Sequence, residues 1–524
     1  MNIKLLLIIT LLFTLPIRGF SQITFQKECG GPLNGNSGYS VRQTNDGNYI
    51  FTGDEGSFGS GGDVYLIKTN IYGDTLWTAY IGSGGYDNGN SVLQTFDGNY
   101  IVAGASTTGG AEIDFYLVKT DTIGIVLWTK TFGGSNNDWA NSIAQMNDGG
   151  FIIAGSTQSF GAGGTDIYLI RTNAVGDTLW TKTYGGAADD YGNSVQLTSD
   201  GGFIISGWTN SFGAGGSDCY LLKTNSLGNL IWAKTFGGAN SDGARAAVET
   251  YDGGYIFSGF TKSFGAGMND AYLAKTDSNG NLLWSKTYGD AGNESINDLQ
   301  QTSDGGFILT GSSYNLSATN INTYLVRTNS IGDTIWTQAI GGNNTITVGY
   351  SVKQVSDGGF IVTGNSNIGA GLGGVYFLKT DSNGNTSCPA SVRSTTIGTP
   401  LTQVTLPITI VNTPHTNVGS PTPTIFGRAG DLATACFVLG INDLDDKTLN
   451  LIISPNPCND KLTITTKANS QSKIIIYDIA GRNLLQQEFT NETTLNTEQL
   501  ATGIYIIEVH SSNGESTKGK VIKL

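Results

Sequence analysis

Residues able to carry chemistry recur in this chain at a fixed beat. One acidic series runs Asp63, Asp114, Asp166, Asp218 and Asp270 and ends with Asn322 and Gly374; a second runs Asp87, Asp138, Asp190, Asp242 and Glu294. A ring of hard oxygen ligands suits Ca²⁺, and paired carboxylates suit glycoside chemistry. The plainer expectation is that each Asp bonds the backbone of its own loop, as Asx turns do. A residue repeated with the repeat serves the repeat, whereas acid–base chemistry needs groups in unequal environments. No cofactor and no catalytic residue is therefore expected, with Ca²⁺ on Asp63, Asp114, Asp166, Asp218 and Asp270 as the alternative. Departures from the beat are sharper candidates. Arg42, Arg245 and Lys353 interrupt a mostly Ser/Gln/Thr set, with Asp298 and Glu249 nearby, and Trp139 and Trp208 are the two tryptophans outside the periodic position. If the chain has a ligand site, Arg42, Trp139, Trp208, Arg245, Asp298 and Lys353 are its expected members.

What is missing is equally informative. The two histidines, His415 and His510, both lie outside the repeats, so Ser–His or Cys–His nucleophiles and His-based zinc sites are excluded there. A net charge of −14 leaves no basic stripe for phosphates, which excludes nucleic acid as a partner.

The elements that position these residues follow from the period. An Asp-Gly step recurs at Asp46, Asp97, Asp148, Asp200, Asp252, Asp304 and Asp357, and a tryptophan at Trp77, Trp128, Trp180, Trp232, Trp284 and Trp336. Each unit reads as four strands; in the fourth copy these are 193–198, 202–209, 218–224 and 230–236. Asp200-Gly201 is a hairpin turn signal, and the short apolar runs Phe203-Ile204-Ile205 and Tyr220-Leu221-Leu222 suit strands covered on both faces. Four strands per unit of about 50 residues make a blade of a β-propeller. The start of the mature chain, Thr24-Phe25-Gln26-Lys27, aligns with Leu179-Trp180-Thr181-Lys182, a fourth strand lacking its first three. The seventh copy has three strands, and Cys388 stands where its Trp belongs. The N-terminal strand is thus expected to complete the last blade, closing a seven-bladed ring. The Trp series and Phe25 are expected to pack blade against blade, truncation costing about 3–5 kcal/mol if buried.

Residues 1–21 read as a signal peptide: Lys4, an apolar run Leu5–Leu15, then Gly19-Phe20-Ser21. No membrane span is expected once it is removed. The propeller occupies 22–388. Residues 389–445, rich in Thr and Pro, read as an extended linker with some strand character. Cys388 and Cys436 bracket it as disulfide candidates, with Cys29 a competing partner and Cys219 a buried thiol. Six short strands separated by turn residues make 446–524 a small β-sandwich.

Trp180…Gly185-Gly186…Asp190, Asp200…Gly207 and Asp218…Lys223 resemble the bacterial β-propeller repeat family, over about 360 residues. That resemblance implies the fold and no single activity. Gly228-Asn-Leu-Ile-Trp232 is similar to the repeat of quinone-cofactor dehydrogenase propellers, whose metal and cofactor site has no counterpart here. The sialidase Asp-box falls between the same two strands, but this chain has one residue too many between Gly and Trp. At the C-terminus, Pro455-Asn456-Pro457, Ile476-Tyr477-Asp478-Ile479-Ala480-Gly481-Arg482, Gly503-Ile504-Tyr505 and the ending with Lys520 and Lys523 resemble the type A sorting domain of type IX secretion cargo. The resemblance implies recognition by the type IX machinery, passage across a Gram-negative outer membrane, removal of the domain, and release or glycolipid anchoring at the surface. The expected function is a secreted or surface-attached binding or adhesion module for glycans or other surface polymers. The alternatives are a carbohydrate hydrolase or lyase using carboxylates of the long-loop face, or a scaffold with no discrete ligand.

Overall fold

The computed structural model describes residues 22–29, 36–56, 61–82, 85–107, 112–314, 320–341, 346–367 and 373–386, short strands within 396–454, and 460–523 apart from 467–470, 479–481, 502 and 513–515. Residues 1–21, where a signal peptide is expected, Cys388, Cys436, Pro455–Pro457 and Gly481 lie outside the described residues, as does the side chain of Lys520. The chain divides into two compact units, 1–440 and 441–524. No helix among the described residues is long and apolar enough to cross a membrane.

The first unit is a ring of seven antiparallel sheets. Blade four shows how the sequence builds each one, with strands Asp190–Leu197, Phe203–Thr209, Asp218–Thr224 and Leu230–Gly237. Its central strands are sandwiched between neighbouring blades, so Phe203, Ile204, Ile205, Tyr220, Leu221 and Leu222 are all fully buried. At the first hairpin Gly201 takes φ +80°, a conformation that favours glycine. Asp200 then accepts the Gly202 amide at 2.9 Å and the Thr198 hydroxyl at 2.6 Å. The buried Lys223 reaches back to the same carboxylate at 2.9 Å. Every blade repeats this clamp, with Arg171 and Arg327 replacing Lys in blades three and six. The recurring Asp-Gly is thus a turn whose carboxylate also neutralises a buried cation, which would be costly to leave unpaired.

Phe25–Cys29 pairs with Gly374–Thr380 as the fourth strand of blade seven, closing the ring as expected. Phe51 of blade one stacks on Phe377 of blade seven at 4.2 Å between ring centroids. The periodic aromatics join the blades. Phe25, Trp77, Trp128, Trp180, Trp232, Trp284 and Trp336 lie over Gly73, Gly124, Gly176, Gly228, Gly280, Gly332 and Gly384 of the next blade, where a Cβ would meet the ring at 2.7–3.0 Å. The tryptophans remain partly exposed, whereas Phe25 is buried, so truncating a Trp removes less buried area than full burial would.

The segment that follows the ring within the first unit is more regular than its composition suggests. Thr396–Gly398, Gln403–Thr405, Ile410–Asn412, Asn417–Gly419 and Thr424–Arg428 add a fifth strand to blades five, four, three, two and one in turn, and Phe437–Val438 adds one to blade seven.

The second unit is one hydrogen-bonded sheet of seven strands. Its two parts meet at the single pair Thr490–Glu492 and enclose one core of Leu462, Ile464, Ile474, Ile476, Leu495, Ile507 and Val509, among others. One strand, Glu492–Asn496, escaped the sequence reading because only Thr493 and Leu495 of it are buried.

Candidate functional site

The first strand of every blade carries a β-bulge at the same place. The extra residue points into a central cavity of about 380 Å³ lined by all seven blades. In four blades that residue is Asn. Its amide donates to a carbonyl of the following blade: Asn90 to Ala140 at 2.8 Å, Asn141 to Gly192 at 2.7 Å, Asn193 to Ala244 at 2.8 Å and Asn297 to Gly349 at 2.9 Å. Blades one, five and seven carry Tyr39, Arg245 and Tyr350 instead. The two tyrosine rings tilt against each other with centroids 5.3 Å apart. Burial, and then the nearby Asp54 carboxylate, raise both phenols above their ordinary range, so they are protonated; the Tyr39 hydroxyl is hydrogen-bonded to Asp54.

Three residues further along the same strands, Arg42 and Lys353 stand where blades two, three and five have Leu93, Ala144 and Val248. Asp298 takes a position that is Ser in five blades. Its Oδ2 accepts Ser351 Oγ at 3.0 Å, the Val352 amide at 3.0 Å and Lys353 Nζ at 2.6 Å, while Oδ1 accepts the Leu299 amide at 2.9 Å. Burial pushes Arg42 below its ordinary value against the pull of Asp298; Lys353 is lowered by burial and by Arg42, and again raised by Asp298. The structure therefore brings four of the six expected site residues, Arg42, Arg245, Asp298 and Lys353, to one cavity.

Trp139 and Trp208 do not line it. They sit at the blade end that carries the long loops, and two residues that the sequence reading missed accompany them. Tyr191 stacks on Trp208 with centroids 4.1 Å apart, and Phe260 of blade five covers Gly243. All four rings are partly exposed. The corresponding pairs in other blades are Ser37/Asp54, Asn88/Ala105, Ser295/Ser312 and Val348/Asn365. Aligning the strand-one bulges and their cross-strand partners across the repeats, not only the Trp and Asp positions, would have found Tyr39, Tyr350, Tyr191 and Phe260.

The repeated acids meet in pairs. Asp166 and Asp190 flank Gly185, and the equivalent pairs flank Gly82, Gly133, Gly237 and Gly289 so closely that a Cβ there would collide with a carboxylate. Asp218 accepts the Ala214 amide at 2.9 Å; Asp190 accepts the Gly186 amide at 2.7 Å and Ser211 Oγ at 2.8 Å. Burial, and then the facing carboxylates Asp87 and Asp138, lift Asp63 and Asp114 to about 6. Asp166 and Asp218 also stand at about 6, raised by burial and by Asp190 and Asp242 against the pull of loop amides. Their hydrogen bonds fix loops, as Asx turns would. No cluster of three or more metal-ligating side chains occurs among the described residues. Glu249, expected near the channel, instead accepts the Ser199 amide of the neighbouring blade at 2.6 Å.

In the second unit, Tyr505 donates to the Ala501 carbonyl at 2.6 Å, Arg482 is exposed and Lys523 is buried 4.0 Å from Asp460.

This architecture is that of a seven-bladed β-propeller followed by a separate small β-domain. Residues 453–523 match the secretion system C-terminal sorting domain, so the second unit is a type IX sorting domain that directs the chain to the outside of the cell or to its outer-membrane surface. The chain is also similar to the regulatory protein FlaEY of Caulobacter vibrioides, 27% identical over 176 residues, 29% of this chain and 18% of that protein. It is 31% identical over 72 residues to an endo-acting ulvan lyase of Formosa agariphila, 13% of this chain and 14% of the lyase. Among solved structures, the extracellular domain of a hybrid two-component system of B. thetaiotaomicron matches with a TM-score of 0.42 and 10% identity, over 95% of this chain and 58% of that one. The chain thus spans less than two thirds of each.

Proposed function

We propose that the propeller is a glycan-binding module carried to the cell surface by its sorting domain. The observation that carries this reading is the asymmetry of the long-loop face. The periodic tryptophans are explained by the joints between blades, but the partly exposed Trp139, Tyr191, Trp208 and Phe260 serve no repeated joint and gather on blades three to five. Flat apolar faces beside polar groups suit sugar rings, which present one C–H face and a polar edge. Support for binding rather than hydrolysis comes from how the carboxylates are used: the long-loop pairs bond their own loops, and Asp298, the one carboxylate among the described residues lining the cavity, has its oxygens occupied by four donors. Two carboxylates in unequal environments would be needed for glycoside cleavage. The test is a glycan array with the full-length chain, with and without Ca²⁺, scored for retention and for product release. Retention without turnover, weakened at least about tenfold in Trp208→Ala, is expected. Turnover would favour the hydrolase or lyase, and neither retention nor turnover a scaffold.

A further inference from the structure

The bulge asparagines show what the ring's own assembly requires at the channel: a side-chain amide that bridges to the next blade. Three blades give up that bridge and place Tyr39, Arg245 and Tyr350 there instead. A hydrogen bond between blades has been exchanged for groups that face the cavity, and the exchange is confined to blades five, seven and one. The same sector carries Arg42 and Lys353. Among the described residues lining the cavity, Asp298 is the sole carboxylate, and it is saturated by Lys353, Ser351 and two amides. Arg42 donates to its own neighbour's carbonyl, Val41 O, at 2.9 Å. Arg245 is exposed to the cavity and makes no hydrogen bond to any described residue. Counting Arg42, Arg245 and Lys353 against Asp298, the lining carries a net charge of +2 inside a chain whose net charge is −14. A positive cavity in an acidic protein concentrates anions, and charge pairing there is stronger than at an open surface.

We infer that the channel binds an anionic group, a carboxylate or a sulfate ester, through Arg245 and Arg42, with the neutral phenol of Tyr350 as a further donor; the Tyr39 hydroxyl is held by Asp54. This rests on the glycan-binding reading for the body of the ligand: the aromatic arc would take the sugar rings and the channel the charge. Guanidinium groups suit it because their forked donors match both anions.

The repeat supplies its own test variant. Arg245→Asn installs the residue that blades two, three, four and six carry at this position, so the fold has a place for it. Calorimetric titration of the full-length chain with inorganic sulfate, at 20 mM and at 500 mM NaCl as experimental settings, reads the channel alone (both concentrations on the order of the range where screening changes strongly). Parallel arrays compare neutral, uronate-containing and sulfated oligosaccharides. The expected result is sulfate binding that high salt weakens and that Arg245→Asn weakens about tenfold, together with a preference for one acidic glycan class that the variant loses while neutral glycans are unaffected. Whether uronates or sulfated sugars are preferred identifies the source of the anion. Arg42→Gln, checked for an unchanged melting temperature, is the second variant. Absence of sulfate binding to the wild type, or binding unchanged in both variants, overturns the inference. Neutral glycans retained with no charge preference would sink the channel assignment and leave glycan binding standing. Sulfate binding lost in Arg245→Asn, with no glycan retained, would do the reverse.

Discussion

At the scale of single residues, the acids in this ring play two opposite electrostatic parts. Asp218 sits at about 6 because burial and Asp242 outweigh the Ala214 amide. A folded-state value above the ordinary carboxylate value of about 4 means that the native state holds more protons than the unfolded chain. Stability from this group is therefore present at low pH and lost as pH rises from about 4 through 6. Asp200 runs the other way. Burial alone would raise it, but hydrogen bonds from Thr198 and Lys223 carry it down to about 2, so its contribution is present above about 4 and lost as pH falls towards 2. The melting temperature should accordingly peak near pH 4, about the ordinary carboxylate value, and decline on both sides. Asp218→Asn should raise it at pH 7 by a few degrees and flatten its fall between about pH 4 and 6. Blade six already holds a neutral version of the pair, Asn322 with Thr347 against Gly341. A variant as pH-dependent as the wild type would show that these acids are ionised and satisfied as they stand.

At the scale of elements, the contact between each Trp and the glycine of the next blade is the joint of the ring. Trp232 lies over Gly280, which has φ +73°, and packs edge-on against Tyr255 with centroids 5.7 Å apart. Trp232→Ala should cost about 2–3 kcal/mol, below the range for fully buried aromatics. Gly280→Ala strains the backbone and strikes the same ring, so the double variant should cost less than the sum of the singles. Additive losses in denaturant titrations would mean that the two residues do not share a joint. The strap that adds the fifth strands was hidden for a different reason. Ile397, Val404, Val411, Val418 and Ile425 fall seven residues apart, and Pro400, Pro407, Pro414 and Pro421 lie between them at the same spacing. They pair with Tyr288, Phe236, Tyr184, Phe132 and Ile81, one equivalent position per blade. Proline cannot extend the ladder, so each heptad pairs with one edge and moves on to the next. Composition alone hides this, because three-residue strands carry little hydrophobic periodicity and their partner lies in another segment. Replacing 396–438 by a Gly/Ser run of equal length should lower the melting temperature by several degrees and expose the outer strands to protease, since unpaired edges are uncovered. No change in either would reduce the strap to a tether.

At the scale of the whole molecule, what was legible and what was not follow one rule. Phe25 and the truncated seventh copy revealed the ring closure because a period can be counted from either end. Arg42, Arg245, Lys353 and Asp298 were legible as breaks in that period, although their meeting in one cavity follows from bulges that no local pattern signals. Trp139 and Trp208 shared the same kind of break and yet belong to a different place, since exposure at a blade end depends on which face of the strand a residue occupies. The sorting domain is independent of all this. Its motifs are not repeated, its core is its own, and its match covers residues 453–523. Removing 446–524 should leave the ring-forming sequence intact while abolishing its exit: in the native host the truncated chain should accumulate in the periplasm, protected from protease added to whole cells. Arg245→Asn and Trp208→Ala in the full chain should reach the surface like the wild type, because nothing in the channel or on the aromatic arc belongs to the second unit. Surface accessibility of the truncated chain would mean that export is encoded in the propeller or the strap, and the C-terminal sheet would then need another role.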